Sequence, residues 1–119
     1  MDTKLHEVNG LTITELVVDT LSIQTAQDAL DIMATTMYGG SRRLIWHEHQ
    51  LNPDFFELKS GLAGEILQKF SNYGMKLAVV SDTEKFQSNS LNAFVLECNR
   101  GNQVFFSPDL ATALEKLSG

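Results

Sequence analysis

The run Leu77-Ala78-Val79-Val80 is apolar at every position. A strand with one wet face alternates apolar and polar residues. A strand without that alternation is covered on both faces, the condition of a parallel sheet with helices packed on it. Leu44-Ile45-Trp46 and Val104-Phe105-Phe106 read as further short buried strands. The stretches between them carry helical rather than alternating spacing.

The chain begins differently. Asn9-Gly10 separates two strand-like runs, 4–8 and 11–18. Asn-Gly readily takes the positive φ angles of a tight turn, so the runs should pair as an antiparallel hairpin. In the second run Leu11, Ile13 and Val17 share a face with Glu15, a carboxylate that interrupts an otherwise apolar stripe.

Thr25, with Asp28 three residues on, forms the pattern of a helix-opening capping box. Ala26, Ala29, Leu30, Met33 and Met37 follow on one face, and Gly39-Gly40 ends the helix. Pro53 makes 51–56 a loop or short helical turn. A second helix is expected over 60–73, with Leu62, Ile66, Leu67, Phe70 and Tyr73 inward and Glu65 and Lys69 able to pair outside. Leu91, Phe94, Val95 and Cys98 mark a third, closed by Gly101. Ser107-Pro108 reads as a capped start for a fourth, whose Leu110, Ala113, Leu114 and Leu117 face the core. The order β-β-α-β-α-β-α-β-α implies one α/β domain over 1–119, a mixed, mostly parallel sheet with an N-terminal hairpin and helices packed on it.

Composition narrows the function. Nine Lys and Arg against fifteen Asp and Glu give a net charge of −6. The basic residues are scattered, and only Arg42 and Arg43 are adjacent. That is no footprint for nucleic acid, nor for an anionic membrane surface. No apolar run is long enough to span a bilayer, and the first residues lack a signal-peptide pattern. With one cysteine, Cys98, no internal disulfide forms, in keeping with a cytoplasmic protein.

The segments Ala26-Gln27-Asp28-Ala29-Leu30, 55–73 and Lys76-Leu77-Ala78-Val79-Val80 resemble the bacterial family catalogued as domain of unknown function 4180. That resemblance covers nearly the whole chain and implies membership without an activity. A more distant one is to the STAS domain of sulfate transporters and anti-sigma factor antagonists. Ser60-Gly61-Leu62 resembles the STAS helix opening, Leu77-Ala78-Val79-Val80 the next strand, and Val104-Phe105-Phe106-Ser107-Pro108-Asp109 with Ala113-Leu114 the final strand and helix. The resemblance implies a STAS-like fold and a regulatory, protein-binding role. The antagonists' aspartate-serine-serine-glycine motif would place Leu58 at the aspartate and Lys59 at the phosphorylated serine. Only the second serine, Ser60, is kept, so binding not governed by phosphorylation is expected, with Lys59 and Glu65 tuning partner choice.

Candidate chemistry gathers where strands should end. His47-Glu48-His49 follows the third strand, and continued strand geometry would put both imidazoles on one side, able to share a metal. The plainer reading is polar residues at a strand exit; a third ligand would have to come from His6 or Asp82 through folding. Ser60 can cap its helix or accept a phosphate, and Ser81-Asp82 can form a turn or join a crevice with His47 and Ser60. No Gly-x-Ser-x-Gly elbow is present. The expectation is therefore a non-enzymatic regulatory or protein-binding module without metal or cofactor, its surface formed by His47, Glu48, His49, Lys59, Ser60, Glu65 and Asp82. Its partner is another protein, and a homodimer is open. The alternative is a small enzyme or ligand- or metal-binding protein using a strand-end crevice around His47, His49, Ser60 and Asp82.

Overall fold

A computed structural model describes residues 2–119. Strands β1 (Thr3–Val8) and β2 (Leu11–Leu16) form the hairpin, and Asn9 and Gly10 take positive φ angles of 53° and 79° at its turn. Then come α1 (Ala26–Tyr38), β3 (Arg43–His47), α2 (Leu62–Tyr73), β4 (Lys76–Val80), α3 (Asn89–Arg100), β5 (Val104–Ser107) and α4 (Leu110–Leu117). Strand order in the sheet equals chain order, β1-β2-β3-β4-β5. Only the β1–β2 pairing is antiparallel.

That order dictates the layers. Three right-handed crossovers that each advance one strand in the same direction place their helices on the same face. On that face Leu16, Leu44, Trp46, Leu77, Val79, Val104 and Phe106 pack against α1, α2 and α3 through residues such as Met33, Ile66, Phe70, Leu91 and Val95. Trp46 meets Phe70 edge-on, ring centroids 5.3 Å apart. The other face has α4 alone, whose Ala113 and Leu117 close over Ile13, Ile45, Ala78 and Phe105. Val79 and Phe105 are both buried, on opposite faces, as strands covered on both sides require.

Some local expectations are corrected. The second helix starts at Leu62, because Ser60 ends a 3-10 turn (Leu58–Ser60) and Gly61 turns left-handed at φ 78°. Ser60 still serves that start: its hydroxyl accepts from Leu62 N at 3.2 Å and donates to Asp54 O at 2.6 Å. The fourth helix is capped by Asp109, which accepts from Thr112 N at 2.7 Å; Ser107 is the buried last residue of β5. The hydrogen bond from Thr112 holds the Asp109 carboxyl below its ordinary range. Tyr73 is exposed, β2 stops at Leu16, and Glu65 and Lys69 form no ion pair. No helix among the described residues is long and apolar enough to cross a membrane.

Candidate functional site

The rim at the carboxyl ends of β3 and β4 is built around Gln50, a fully buried amide. Its Nε2 donates to Leu16 O (2.8 Å) and Val18 O (3.0 Å), and its Oε1 accepts from His47 N (2.9 Å). Its carbonyl takes the N–H groups of Ser22 and Ile23, both at 2.9 Å. One side chain thus ties the end of β2 to the end of β3 in a dry site, where unmade hydrogen bonds are expensive. The 3-10 turn Glu48–Gln50 is held firmly as a result, and Glu48 and His49 project from it.

Three clefts meet along this rim. A polar one of about 340 Å³ is lined by His47, Glu48, His49, Val80, Ser81, Asp82, Lys85 and Pro108. In it the Ser81 hydroxyl and the Lys85 ammonium both donate to the Glu48 carboxylate. Asp82 caps the turn Thr83–Lys85 by accepting from Glu84 N, which places Lys85 over Glu48. An apolar cleft of about 440 Å³, walled by Leu21, Leu51, Pro53, Phe56 and Phe86, shares Glu48 and His49 with the first. A third, about 290 Å³, shares Phe56 with the second and runs past Lys59 to Ser88 and Ser90.

Beneath His47 lies a carboxylate between two imidazoles. Glu15 is 6% exposed; its Oε2 accepts from His47 Nε2 at 2.7 Å and its Oε1 from His6 Nε2 at 2.9 Å. Burial pushes its pKa up, but the hydrogen bonds and charges of His47 and His6 outweigh this and hold it below the ordinary carboxylate value. An ionised carboxylate only accepts, so both Nε2 atoms carry the proton. The sheet puts these residues on one face: His6 is the register partner of Ile13, and Glu15 that of Ile45, two residues before His47.

His47, Glu48, His49 and Asp82 therefore come together as the sequence suggests, though by another route. The strand ends at His47, and the imidazoles stack, centroids 5.9 Å apart, through the 3-10 turn that follows. They do not converge on a metal: His47 donates to Glu15, and His49 Nε2 donates to Val18 O at 3.1 Å. Among the described residues no group of three His, Cys, Asp or Glu has metal-holding geometry. Ser60 and Glu65 are not in this crevice. They line a separate groove with Thr25, Asn52 and Asp54. Cys98 is half-buried on α3, and burial raises its pKa, so its thiol is held protonated.

Sequence reasoning missed Lys85, Leu21, Phe56, Phe86 and the role of Glu15. For Glu15 a signal existed, a carboxylate on the inward stripe of a strand; burial there demands partners. For Lys85 and the aromatic wall none did, since the contacts join residues far apart in the chain.

No curated protein and no solved structure matches this chain. Residues 8–117 match the family model described as a domain of unknown function (DUF4180). That span takes in the hairpin turn, every helix and the rim, so the chain belongs to the DUF4180 family.

Proposed function

We propose that this chain is a non-enzymatic binding module that receives an extended segment of a partner protein along the rim, with an apolar side chain of the partner seated in the Leu21–Phe86 cleft. The observation that carries the reading is the sharing of walls. Glu48 and His49 belong to both the polar and the apolar cleft, and Phe56 to both the apolar cleft and the Lys59 groove. A track of shallow pockets suits a peptide, whereas small-molecule sites are commonly one enclosed cavity. The carboxyl end of a parallel sheet is also where such folds place ligands. A regulatory role for that binding is part of the proposal and is drawn from the STAS resemblance, with Lys59 keeping binding independent of phosphorylation.

Peptides selected from a combinatorial library against the folded chain should carry an apolar anchor and shift the amide resonances of Leu21, Glu48, Leu51 and Phe86. Leu21 is exposed, so Leu21→Glu spares the core and should weaken those peptides roughly tenfold, the scale of an anchor position. Selected peptides that bind elsewhere, or that ignore Leu21→Glu, sink the reading. A catalytic reading has one observation behind it, the Glu15 carboxylate holding the His47 imidazole as carboxylates do in acid–base sites. Against it, the Ser81 hydroxyl donates to Glu48, a weak base whose charge Lys85 stabilises, so no activated nucleophile is assembled. Saturable ester hydrolysis lost in a folded His47→Gln variant would favour it.

A further inference from the structure

The open edge of β1 is complementary to itself. Its register with β2 is unbroken from Thr3↔Leu16 to Val8↔Leu11, with no bulge and no proline. A two-residue turn with φ positive at both positions closes on a hydrogen-bonded pair, here Val8 and Leu11. Alternation then makes His6 and Lys4 the other inward-bonding residues of β1. The Val17 N–H donating to Asp2 O at 3.0 Å continues the same series. Thr3, Leu5 and Glu7 therefore point their N–H and C=O groups away from the sheet. Among the described residues no main-chain bond outside the ladder reaches them.

We propose that β1 pairs antiparallel with β1 of a second copy of this chain, about a two-fold axis through Leu5 perpendicular to the sheet. Such an axis keeps each face of the sheet on its own side, so Leu5 opposes Leu5 and Thr3 opposes Glu7 of the second copy. Each opposed pair then exchanges both of its free main-chain bonds, and no outward group of Thr3, Leu5 or Glu7 is left over. The side chains fit the same register. Leu5, 61% exposed and the most exposed large aliphatic residue among those described, covers its own counterpart. The Thr3 hydroxyl meets the Glu7 carboxylate, which Thr12 already positions by donating at 2.7 Å. On the opposite face Lys4 comes beside His6 of the second copy and adds a cation to the buried Glu15 network.

Shifting the axis to His6 would set exposed Leu5 against the Glu7 carboxylate and reach into the turn at Asn9 for its last bonds, which selects the Leu5-centred register. The other sheet edge lacks these properties. β5 has four residues and is followed at once by Pro108, two devices that blunt an edge. The contact is narrow, so the dimer is weak and concentration-dependent rather than obligate. It leaves the rim at β3 and β4 free and stands apart from the proposed peptide track.

The test is sedimentation equilibrium of the whole chain from micromolar to millimolar concentration, with melting temperatures measured in parallel. Wild type should populate a dimer as concentration rises. Leu5→Lys and Leu5→Glu alone should each weaken it by about tenfold or more through like charges at the self-opposed position. An equimolar mixture of the two should re-associate. Leu5→Pro should abolish the dimer while keeping the fold, because it deletes an N–H that the β1–β2 ladder does not use. A wild type monomeric at millimolar concentration overturns the proposal. So does a dimer indifferent to Leu5→Pro, or a charge-swapped mixture that stays monomeric.

Discussion

The two faces of the sheet are closed by different chemistry. Under α1, α2 and α3 the contact is apolar and aromatic, with Trp46, Phe55 and Phe70 shut away from water. Under α4 the apolar patch is smaller, and toward the carboxyl end of β2 and β3 it gives way to Glu15 between His6 and His47. Nondirectional burial stabilises whatever packs densely. A carboxylate held by two imidazoles stabilises only one arrangement of three strands. The helix-rich face thus supplies most of the stability, and the other face adds a register lock between β1, β2 and β3.

The sharpest break of that comparison is Val79→Asp. An unpaired carboxylate among the residues packed by three helices should cost several kcal/mol, on the order of 3–5, and unfold the chain. Retention of the wild-type melting temperature would remove Val79 from the core. Next, Phe70→Ala should cost about 3–5 kcal/mol and Leu117→Ala about 2–4 by chemical denaturation. Equal costs would erase the difference between the two faces, and reversed costs would make α4 the stronger clamp. Third, Glu15→Gln should cost about 1–3 kcal/mol near neutral pH, since it turns one of two accepting oxygens into an amide nitrogen that only donates and leaves one imidazole N–H without its acceptor. Glu15 has its folded pKa depressed, so its contribution is present above the ordinary carboxylate range and is lost as pH falls through the lowered value. The variant should lack that part of the acid-side decline, seen as a flatter plot of stability against pH; an unchanged acid limb would mean that the histidines do not stabilise the charge. The smallest effect is expected at Ser60→Ala, about 0.5–1 kcal/mol for the lost bonds to Leu62 N and Asp54 O. Peptide affinity at the rim should not change with it, because Ser60 lines a different groove.

The element order, the hairpin and the buried strands are legible because period and turn chemistry are local. Asn9-Gly10 announces its turn, and Leu77-Ala78-Val79-Val80 its two covered faces. The caps are less legible. Ser107 and Asp109 are both good capping residues two positions apart, and which of them caps depends on how far β5 runs before it leaves Val80. Ser60 and Gly61 pose the same problem, settled by the left-handed turn at Gly61. The site is legible only where its residues are adjacent. His47-Glu48-His49 stands out in the chain, but its acceptor Glu15 and its neighbour Lys85 come from separate elements.

The sequential strand order bears on how the chain is made. Each strand after the hairpin joins an edge formed by the strand just before it, so none has to be inserted between two neighbours already in place. Synthesis delivers the chain in that same direction, and pairings near in sequence close faster than distant ones. The sheet can therefore elongate while translation proceeds, with β3 and then β4 serving in turn as the growing end. Elongation stops at β5, where four residues and the following Pro108 leave little for another strand to join.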